Sequence, residues 1–471
     1  MTEASFAQTG MWITERMGRA RTAYHMPLVA DFEGELDVCA LHAACEAVIR
    51  RHAVLSSAVA EVDGLPVMVP GERPPIRLTT AGDLHELVRE ETLRPFDVEN
   101  GPLARFTLAK LSPDRHVLVF VAHHLVFDGE SKDILVRDLA DFYNGESRPR
   151  LGTSYASFAD GERERVRDDL DEARAYWSAR PPGEPTPLPG LTSAGRGAAE
   201  GAVRTFRARM PDVPGVSRFE LFLASVHTLL HRYGDPAPTV AVDLSTRVPE
   251  VRDNVGLFVN ELPVTATPEG TVADVARTLH RDLREMYRFR HVPYARAVRG
   301  VRPRTALAQV SVSYRKRRPD PVFTGVKTTV DWAVFNHSVR SVLHLQAVDH
   351  PDGLYVIMQY GAGSGTESDV ARIAEDLLTI MNNPESPVDG TSPAADLDDA
   401  VREIWQEVLG IDEIGDDEDL FDLGGHSLTI TQIIARMRKR LGVEVPLDVF
   451  FDTPTIAGVV QAVREAEPAV R

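Results

Sequence analysis

Apolar and polar positions along the chain fall into two periods. Two-residue alternation or short apolar runs predict strands at 26–32, 103–108, 116–121, 203–210, 239–244, 309–314 and 354–360. Apolar residues three and four apart predict helices at 37–52, 131–143, 161–179, 217–233, 272–289 and 368–381. Ser112-Pro113-Asp114-Arg115 separates two of the strands and reads as a hairpin turn, and Ser5 stands as a cap ahead of a helix bearing Met11, Trp12 and Met17.

Two proline-rich stretches interrupt the pattern, at 180–202 and 383–395. Beyond the second the periodicity is helical only. Asp396 is placed to cap a helix with Val401, Ile404, Trp405, Val408 and Leu409 on one face. A second helix, from Ser427 to about 441, aligns Ile430, Ile433, Ile434 and Met437, and shorter pieces follow at 446–451 and 455–465. The expected organisation is an α/β lobe at 1–179, a linker at 180–202, a second α/β lobe at 203–387, a linker at 388–395 and a small four-helix bundle at 396–471.

Composition changes this picture in three places. Apolar residues at 43% and charged residues at 26% are ordinary for globular domains. The net charge of −18 argues against a general nucleic-acid binder, and from residue 391 onward 17 acidic against 7 basic side chains concentrate −10 of it in the helical bundle. Cys39 and Cys45, both in one helical pattern, read as two core thiols in a reducing compartment. With no signal-like segment and no apolar run of membrane-spanning length, a cytoplasmic protein without membrane contact is expected.

The chemistry concentrates at Val121-Ala122-His123-His124-Leu125-Val126-Phe127-Asp128-Gly129, where a strand ends and a helix begins. Adjacent side chains leaving an extended strand point to opposite faces, so one histidine can look into the core and the other into a cavity. A neutral imidazole there is suited to accept a proton near neutral pH. Both histidines as buried structural residues is the alternative. Asp128, at the turn, can fix the loop by pairing with a cation.

His-His-x-x-x-Asp-Gly after a strand resembles the active-site signature of the condensation domains of non-ribosomal peptide synthetases, within the chloramphenicol acetyltransferase superfamily. Further stretches resemble that family's motifs: Ser5-Phe6-Ala7-Gln8, Arg51-His52-Ala53-Val54-Leu55, Tyr155-Ala156-Ser157-Phe158, Gly256-Leu257-Phe258-Val259-Asn260 and His291-Val292-Pro293-Tyr294. Arg51 and His52 also read as cations closing a helix. The family's seventh motif is not recognisable at 302–307. Arg315-Lys316-Arg317-Arg318 is either a solvated loop or a receiver of an acidic carrier or a phosphate. Phe421-Asp422-Leu423-Gly424-Gly425-His426-Ser427-Leu428 resembles the attachment site of peptidyl carrier proteins.

The resemblance implies two chloramphenicol-acetyltransferase-like lobes in a V arrangement, followed by the carrier bundle. It implies acyl transfer from a donor carrier thioester to an amine on an acceptor carrier, with His124 as general base or positioning group, His123 and Asp128 in support, and the Gly129 N–H toward the oxyanion. Arg247 is where the family places a partner for the motif aspartate. Ser427 would carry 4'-phosphopantetheine, and no metal is expected. Implied partners are an upstream donor carrier protein, an adenylation enzyme acting in trans and a phosphopantetheinyl transferase. An ester-forming acyltransferase and a non-catalytic carrier-recruiting module are the other readings.

Overall fold

The computed structural model describes residues 2–181, 188, 190–192, 197–298, 307–389, 393–411, 413–441, 443 and 445–466. In the first lobe β1 (Thr2–Glu3), α1 (Phe6–Arg16), β2 (His25–Gly34) and α2 (Val38–Arg51) lead to β3 (Ser57–Val62), β4 (Leu65–Pro70), β5 (Ile76–Thr80) and α3 (Leu84–Leu93). The hairpin β6 (Ala104–Ser112) and β7 (Arg115–His123) then delivers the chain to α4 (Gly129–Tyr143) and α5 (Tyr155–Ser178). The second lobe contains β8 (Ala199–Ala208), α6 (Arg218–Arg232), β9 (Thr239–Ser245), β10 (Val259–Thr265), α7 (Val272–Tyr287), α8 (Tyr294–Ala297) and β11 (Val310–Lys316). It continues through β12 (Val326–Asp331), β13 (Ser338–Val339), β14 (Leu343–His350), β15 (Gly353–Gly361) and α9 (Glu367–Asn382), before the helical bundle of α10 (Pro393–Leu409), α11 (Ser427–Leu441), α12 (Val449–Asp452) and α13 (Ile456–Ala466).

Each lobe is a mixed sheet under helices, one of five strands in the order β12-β2-β7-β6-β5 and one of seven in the order β10-β9-β11-β14-β15-β8-β13. Strand alternation sets the faces of the first sheet. On β7 Leu118, Phe120 and Ala122 pack into the core that holds Leu41 and Val48 of α2 and Leu135 and Leu139 of α4. Val117, Val119 and Val121 face the other way, against Leu87 of α3. Local signals agree with these placements: Ser5 with Gln8, Ser217 with Glu220, Thr271 with Asp274 and Thr366 with Asp369 each form a reciprocal capping box at a helix start.

Two elements depart from the pattern read along the chain. The segment 326–331 falls within the sequence of the second lobe, yet β12 pairs antiparallel with β2 at the edge of the first sheet. Val330 and Trp332 are buried in the first lobe's core, so apolar burial draws the segment across. Helix α5 begins at Tyr155, not 161. Its first turns put Tyr155 and Phe158 in the first core, and Val166, Ala173 and Trp177 in the second, so one 24-residue helix ties the lobes together.

Smaller corrections concern Cys39 and Asp396. Only Cys45 is buried; Cys39 is exposed, because the buried stripe of α2 runs through Leu41, Ala44, Cys45, Val48 and Ile49. Helix α10 starts at Pro393, which is suited to a first turn, so Asp396 lies inside the helix and is not its cap. In the bundle Trp405 and Phe450 are fully buried with Ile404, Ile430, Ile433, Met437 and Val459. The 302–306 part of the seventh-motif stretch lies outside the described residues. Among the described residues no helix is long and apolar enough to cross a membrane.

Candidate active site

His123 is the last residue of β7 and stands opposite His25 on β2, on the face that carries Val121. It is 1% exposed. Its Nε2 is 2.9 Å from Glu15 Oε1, and its Nδ1 accepts from Leu125 N at 3.1 Å. A carboxylate accepts only, so Nε2 carries the proton, and the ring braces the turn that follows. Gln8 reaches the same turn, donating from Nε2 to Leu125 O at 2.8 Å.

His124 leaves the strand in a single 3₁₀ turn and lines a cavity. Its Nδ1 lies 2.6 Å from Phe127 O; because a carbonyl accepts, Nδ1 donates and Nε2 keeps its lone pair. Burial, reinforced by Arg340, holds the ring down to about 4, so it is uncharged near neutral pH. One histidine therefore packs and its neighbour faces open space.

Asp128 caps α4 through Ser131 N at 2.7 Å. It also receives Ser131 Oγ at 2.7 Å, Phe258 N at 3.0 Å, and Arg247 Nη2 at 2.9 and 3.1 Å on its two oxygens. Arg247 comes from the second lobe, with its guanidinium 4.2 Å from the centre of the Phe258 ring and Nη1 donating to Val251 O and Asn254 O. Asp128 is 1% exposed and bolts the lobes together at the edge of the cavity, its carboxylate taken up by these donors. A second buried charge cluster, within the first lobe, was not foreseen as such: Arg51 and His52 at the end of α2 converge on Asp138 of α4, each at 2.8 Å.

The cavity encloses about 700 Å³ between the lobes. The first lobe contributes His25, His124, Gly129 and Lys132; the second contributes Asp243, Glu261, Ser311, Arg315, Arg340 and His344. Lys132 Nζ donates to Pro27 O and Trp332 O, both at 2.8 Å. Of the basic run, Arg315 pairs with Asp133 at 3.0 Å and Arg317 with Asp320 at 2.7 Å, while Lys316 and Arg318 are exposed; all four also line the cavity. Asp243, Glu261, Arg340 and His344 were missed. Their one signal was a carboxylate inside an otherwise apolar strand, as in Val240-Ala241-Val242-Asp243-Leu244. Among the described residues no group of His, Cys, Asp and Glu is arranged to hold a metal ion.

At Gly129 a Cβ would meet nothing within 4 Å, so no clash with the protein requires glycine there. Gly129→Ala is expected to keep the melting temperature, since alanine is the better helix former. The added methyl occupies cavity space, so transfer should slow about 10- to 100-fold, as small displacements of reacting atoms do. An unchanged rate in a steady-state transfer assay would remove the crowding argument.

Three buried histidines also set how the protein responds to acid. Burial lowers His25, His124 and His344 each to about 4, against roughly 6.5 in the unfolded chain. Between those values the unfolded state binds more protons, so the stability these rings contribute is present above about pH 6.5 and is lost as pH falls toward 4. Asp243, pushed up to about 7 by burial and Glu261, acts in the opposite direction in the same window, as do Asp133 and Glu162, which burial raises; His52 and His227, which burial lowers, act with the three rings. The melting temperature should fall between pH 6.5 and 4.5; a flat profile would contradict the buried neutral state.

The second candidate centre is Ser427, exposed as the first residue of α11. Gly424 adopts φ +88°, and a Cβ on Gly425 would sit 2.6 Å from Leu420 O. Only glycine permits both the left-handed turn and the close approach. Backbone N–H groups at the start of a helix favour a phosphodiester; the next residue, Leu428, is exposed, as are Phe421 and Phe451, whose rings stack on each other at 5.9 Å. Residue type, exposure and helix start fit a phosphopantetheine arm on the Ser427 hydroxyl.

Comparison with known proteins assigns a family to each of the two regions. Residues 1–392 match the family described as Condensation domain, and residues 399–463 match that described as Phosphopantetheine attachment site. Tyrocidine synthase 3 of Brevibacillus parabrevis is 27% identical over 403 residues, covering 80% of this chain and 6% of that protein. This chain thus spans a small part of that relative's length. The starter condensation domain of rhizomide synthetase superposes with a TM-score of 0.72 at 16% identity, covering 83% of this chain and 96% of that one. The X-domain from teicoplanin biosynthesis gives 0.69 at 22% identity, covering 82% and 96%. A histidine turn between two such lobes and a serine-bearing helix behind them match one lineage along nearly all of the sequence: the chain belongs to the condensation-domain family, joined to a phosphopantetheine-attachment domain.

Proposed function

We propose that the chain transfers an acyl or aminoacyl group from a thioester on an upstream donor carrier protein to the amine of a second substrate, forming an amide. The observation that carries this reading is the His124 ring, fixed through Nδ1 with its Nε2 lone pair available beside a cavity that both lobes line. The phosphopantetheine arm on Ser427 supplies the thiol that tethers the acceptor.

The chain's own residues orient that encounter. A protonated amine, with a pKa of roughly 7.7 to 8.0, has no lone pair and cannot attack. His124 Nε2 accepts a hydrogen bond from the neutral amine and aims it. As the C–N bond forms and the C–S bond breaks, the surplus proton leaves the nitrogen past His124 and ends on the departing thiol. A ring held to about 4 does not retain a proton at neutral pH, so His124 serves to position and pass it on. The Gly129 N–H, at the start of α4, is the donor assigned to the carbonyl oxygen as it gains charge. Holding both substrates in one cavity contributes rate independently of these groups.

The partners follow from the same reading: a phosphopantetheinyl transferase to modify Ser427, and an adenylation enzyme acting in trans to charge the arm, in the cytoplasm. The test is intact-mass detection of the arm on Ser427, then transfer from a donor carrier. An amide product supports the reading; an ester with a hydroxyl acceptor assigns the related acyltransferase activity, and a loaded carrier with no transfer from any donor leaves a recruiting module.

A further inference from the structure

The second-lobe wall of the cavity carries two carboxylates that the transfer chemistry does not use. We infer that Asp243 and Glu261 form a subsite for a cationic group, an ammonium or guanidinium, carried by one of the two substrates. This rests on the transferase reading for the identity of the ligand, but not for the existence of the subsite.

Asp243 on β9 is the direct cross-strand partner of Glu261 on β10 in the antiparallel register. Directly paired residues share a face, with Cβ atoms about 4.5–5.5 Å apart, and like charges in that position oppose folding. The neighbours Val242, Leu244 and Leu262 turn into the second lobe's core, while Asp243 and Glu261 line the cavity. A strand pair built only for packing has no use for two acids there.

Their compensation is incomplete. The charges acting on Asp243 are Glu261, which repels it, and Arg340, which attracts it. Arg340 Nη2 lies 3.5 Å from Glu261 Oε1. His344 adds no charge, because its ring nitrogens meet Ser311 Oγ at 2.8 Å and Ser313 Oγ at 3.1 Å and burial keeps it neutral. With Asp243 pushed up to about 7, a proton partly balances the second carboxylate near neutral pH, and a cation entering this corner would take that proton's place. Of the other charged groups lining the cavity, Asp128 and Glu130 pair with Arg247, Asp133 with Arg315 and Arg317 with Asp320, Lys132 is held by two backbone carbonyls, and Lys316 and Arg318 lie on the exposed stretch of the basic run. The rise of Asp243 to about 7 agrees with an uncompensated neighbour.

The corner also lies within a substrate's length of His124. Arg340 sits 5.5 Å from the centre of the Tyr24 ring, and that ring is 6.5 Å from the His124 ring. Glu261 follows Phe258, which binds Asp128, by three strand residues, about 10 Å. A basic side chain extending from a reacting amino acid spans most of that distance.

The probes are the pantetheine amides of L-ornithine, L-norvaline and L-glutamate, titrated calorimetrically into the full chain carrying Ser427→Ala. The ornithine amide should bind at least about 10-fold more tightly than the norvaline amide, the gain expected of a charge-assisted pair in a closed site. That ratio should fall below about threefold in Asp243→Asn, or in Glu261→Gln if the first variant does not fold. Equal binding of ornithine and norvaline amides, or preference for glutamate, overturns the proposal. Transfer assays then locate the cation: ornithyl acceptor with an acetyl donor in one arm, ornithyl donor with a glycyl acceptor in the other, each against its norvalyl counterpart. Selective binding without transfer in any arm keeps the subsite and removes the transferase reading. Transfer with equal binding does the reverse.

Discussion

His124→Ala is expected to lower the rate of amide formation by about 10²- to 10⁴-fold while leaving the modification of Ser427 unaffected. Two first-lobe imidazoles line the cavity with Nδ1 fixed on a backbone carbonyl, His124 on Phe127 O and His25 on Thr92 O, both at 2.6 Å, and His124 is the one that opens the turn into the helix bearing Gly129. His123→Ala should act differently. That ring holds Glu15 and the Leu125 amide inside the fold, so its loss should appear first as instability. A single-turnover assay with a pre-charged carrier separates the two effects. A His124→Ala rate within threefold of the parent would remove the ring from the chemistry. The pH profile adds a second check: with His124 held to about 4, the imidazole stays neutral from about pH 5 upward. The rate should therefore rise with deprotonation of the amine near pH 8 and show no break near 6.5. A break at 6.5 that vanishes in His124→Ala would mean that the ring titrates freely.

Short-range chemistry along the chain was readable in advance, because it depends on residues close in sequence. The split orientation of His123 and His124 follows from the two-residue period of β7, and the exposure of Ser427 follows from two glycines before an amphipathic helix. Ser5 marked the start of α1, whereas Asp396 fell inside α10. Long-range partnerships were not readable. Asp138 carries no mark, within an amphipathic helix, that it will receive both Arg51 and His52 from α2. Nor does the passage of β12 into the first sheet follow from a local period, since any sheet edge with a matching apolar face would satisfy Val330 and Trp332. The carboxylate pair belongs to the same class. Asp243 and Glu261 lie 18 positions apart, and only the register of β9 on β10 makes them neighbours. What escaped the sequence is thus the second-lobe wall of the cavity, while the residues assigned to the bond under change stood in a contiguous motif.

Arg247→Ala should destabilise the two-lobe body by about 3–5 kcal/mol, the usual cost of stranding one member of a buried ion pair. Both partners are enclosed: the Arg247 side chain is 6% exposed and that of Asp128 1%. Once the guanidinium is gone, Asp128 keeps the Ser131 and Phe258 donors, but its charge faces a cavity where the stacked cation stood above Phe258. Asp128→Asn keeps the shape and should be nearly as costly, because its amide NH₂ must face a donor, either Arg247 or the Phe258 N–H. Joining the two substitutions should cost less than their sum, by a coupling of about 0.5–3 kcal/mol, since neither leaves the other's charge behind. Glu130, 41% exposed at the side chain and 3.1 Å from the same guanidinium, is the control: Glu130→Gln should change stability by no more than about 1 kcal/mol. Urea unfolding followed by tryptophan fluorescence measures all four. If Arg247→Ala costs no more than Glu130→Gln, the lobes are held by apolar contact through α5 and the inner pair is dispensable. If it costs as expected, Asp128 has two roles in one contact: it starts the helix that bears Gly129 and locks the second lobe against the turn that aims His124.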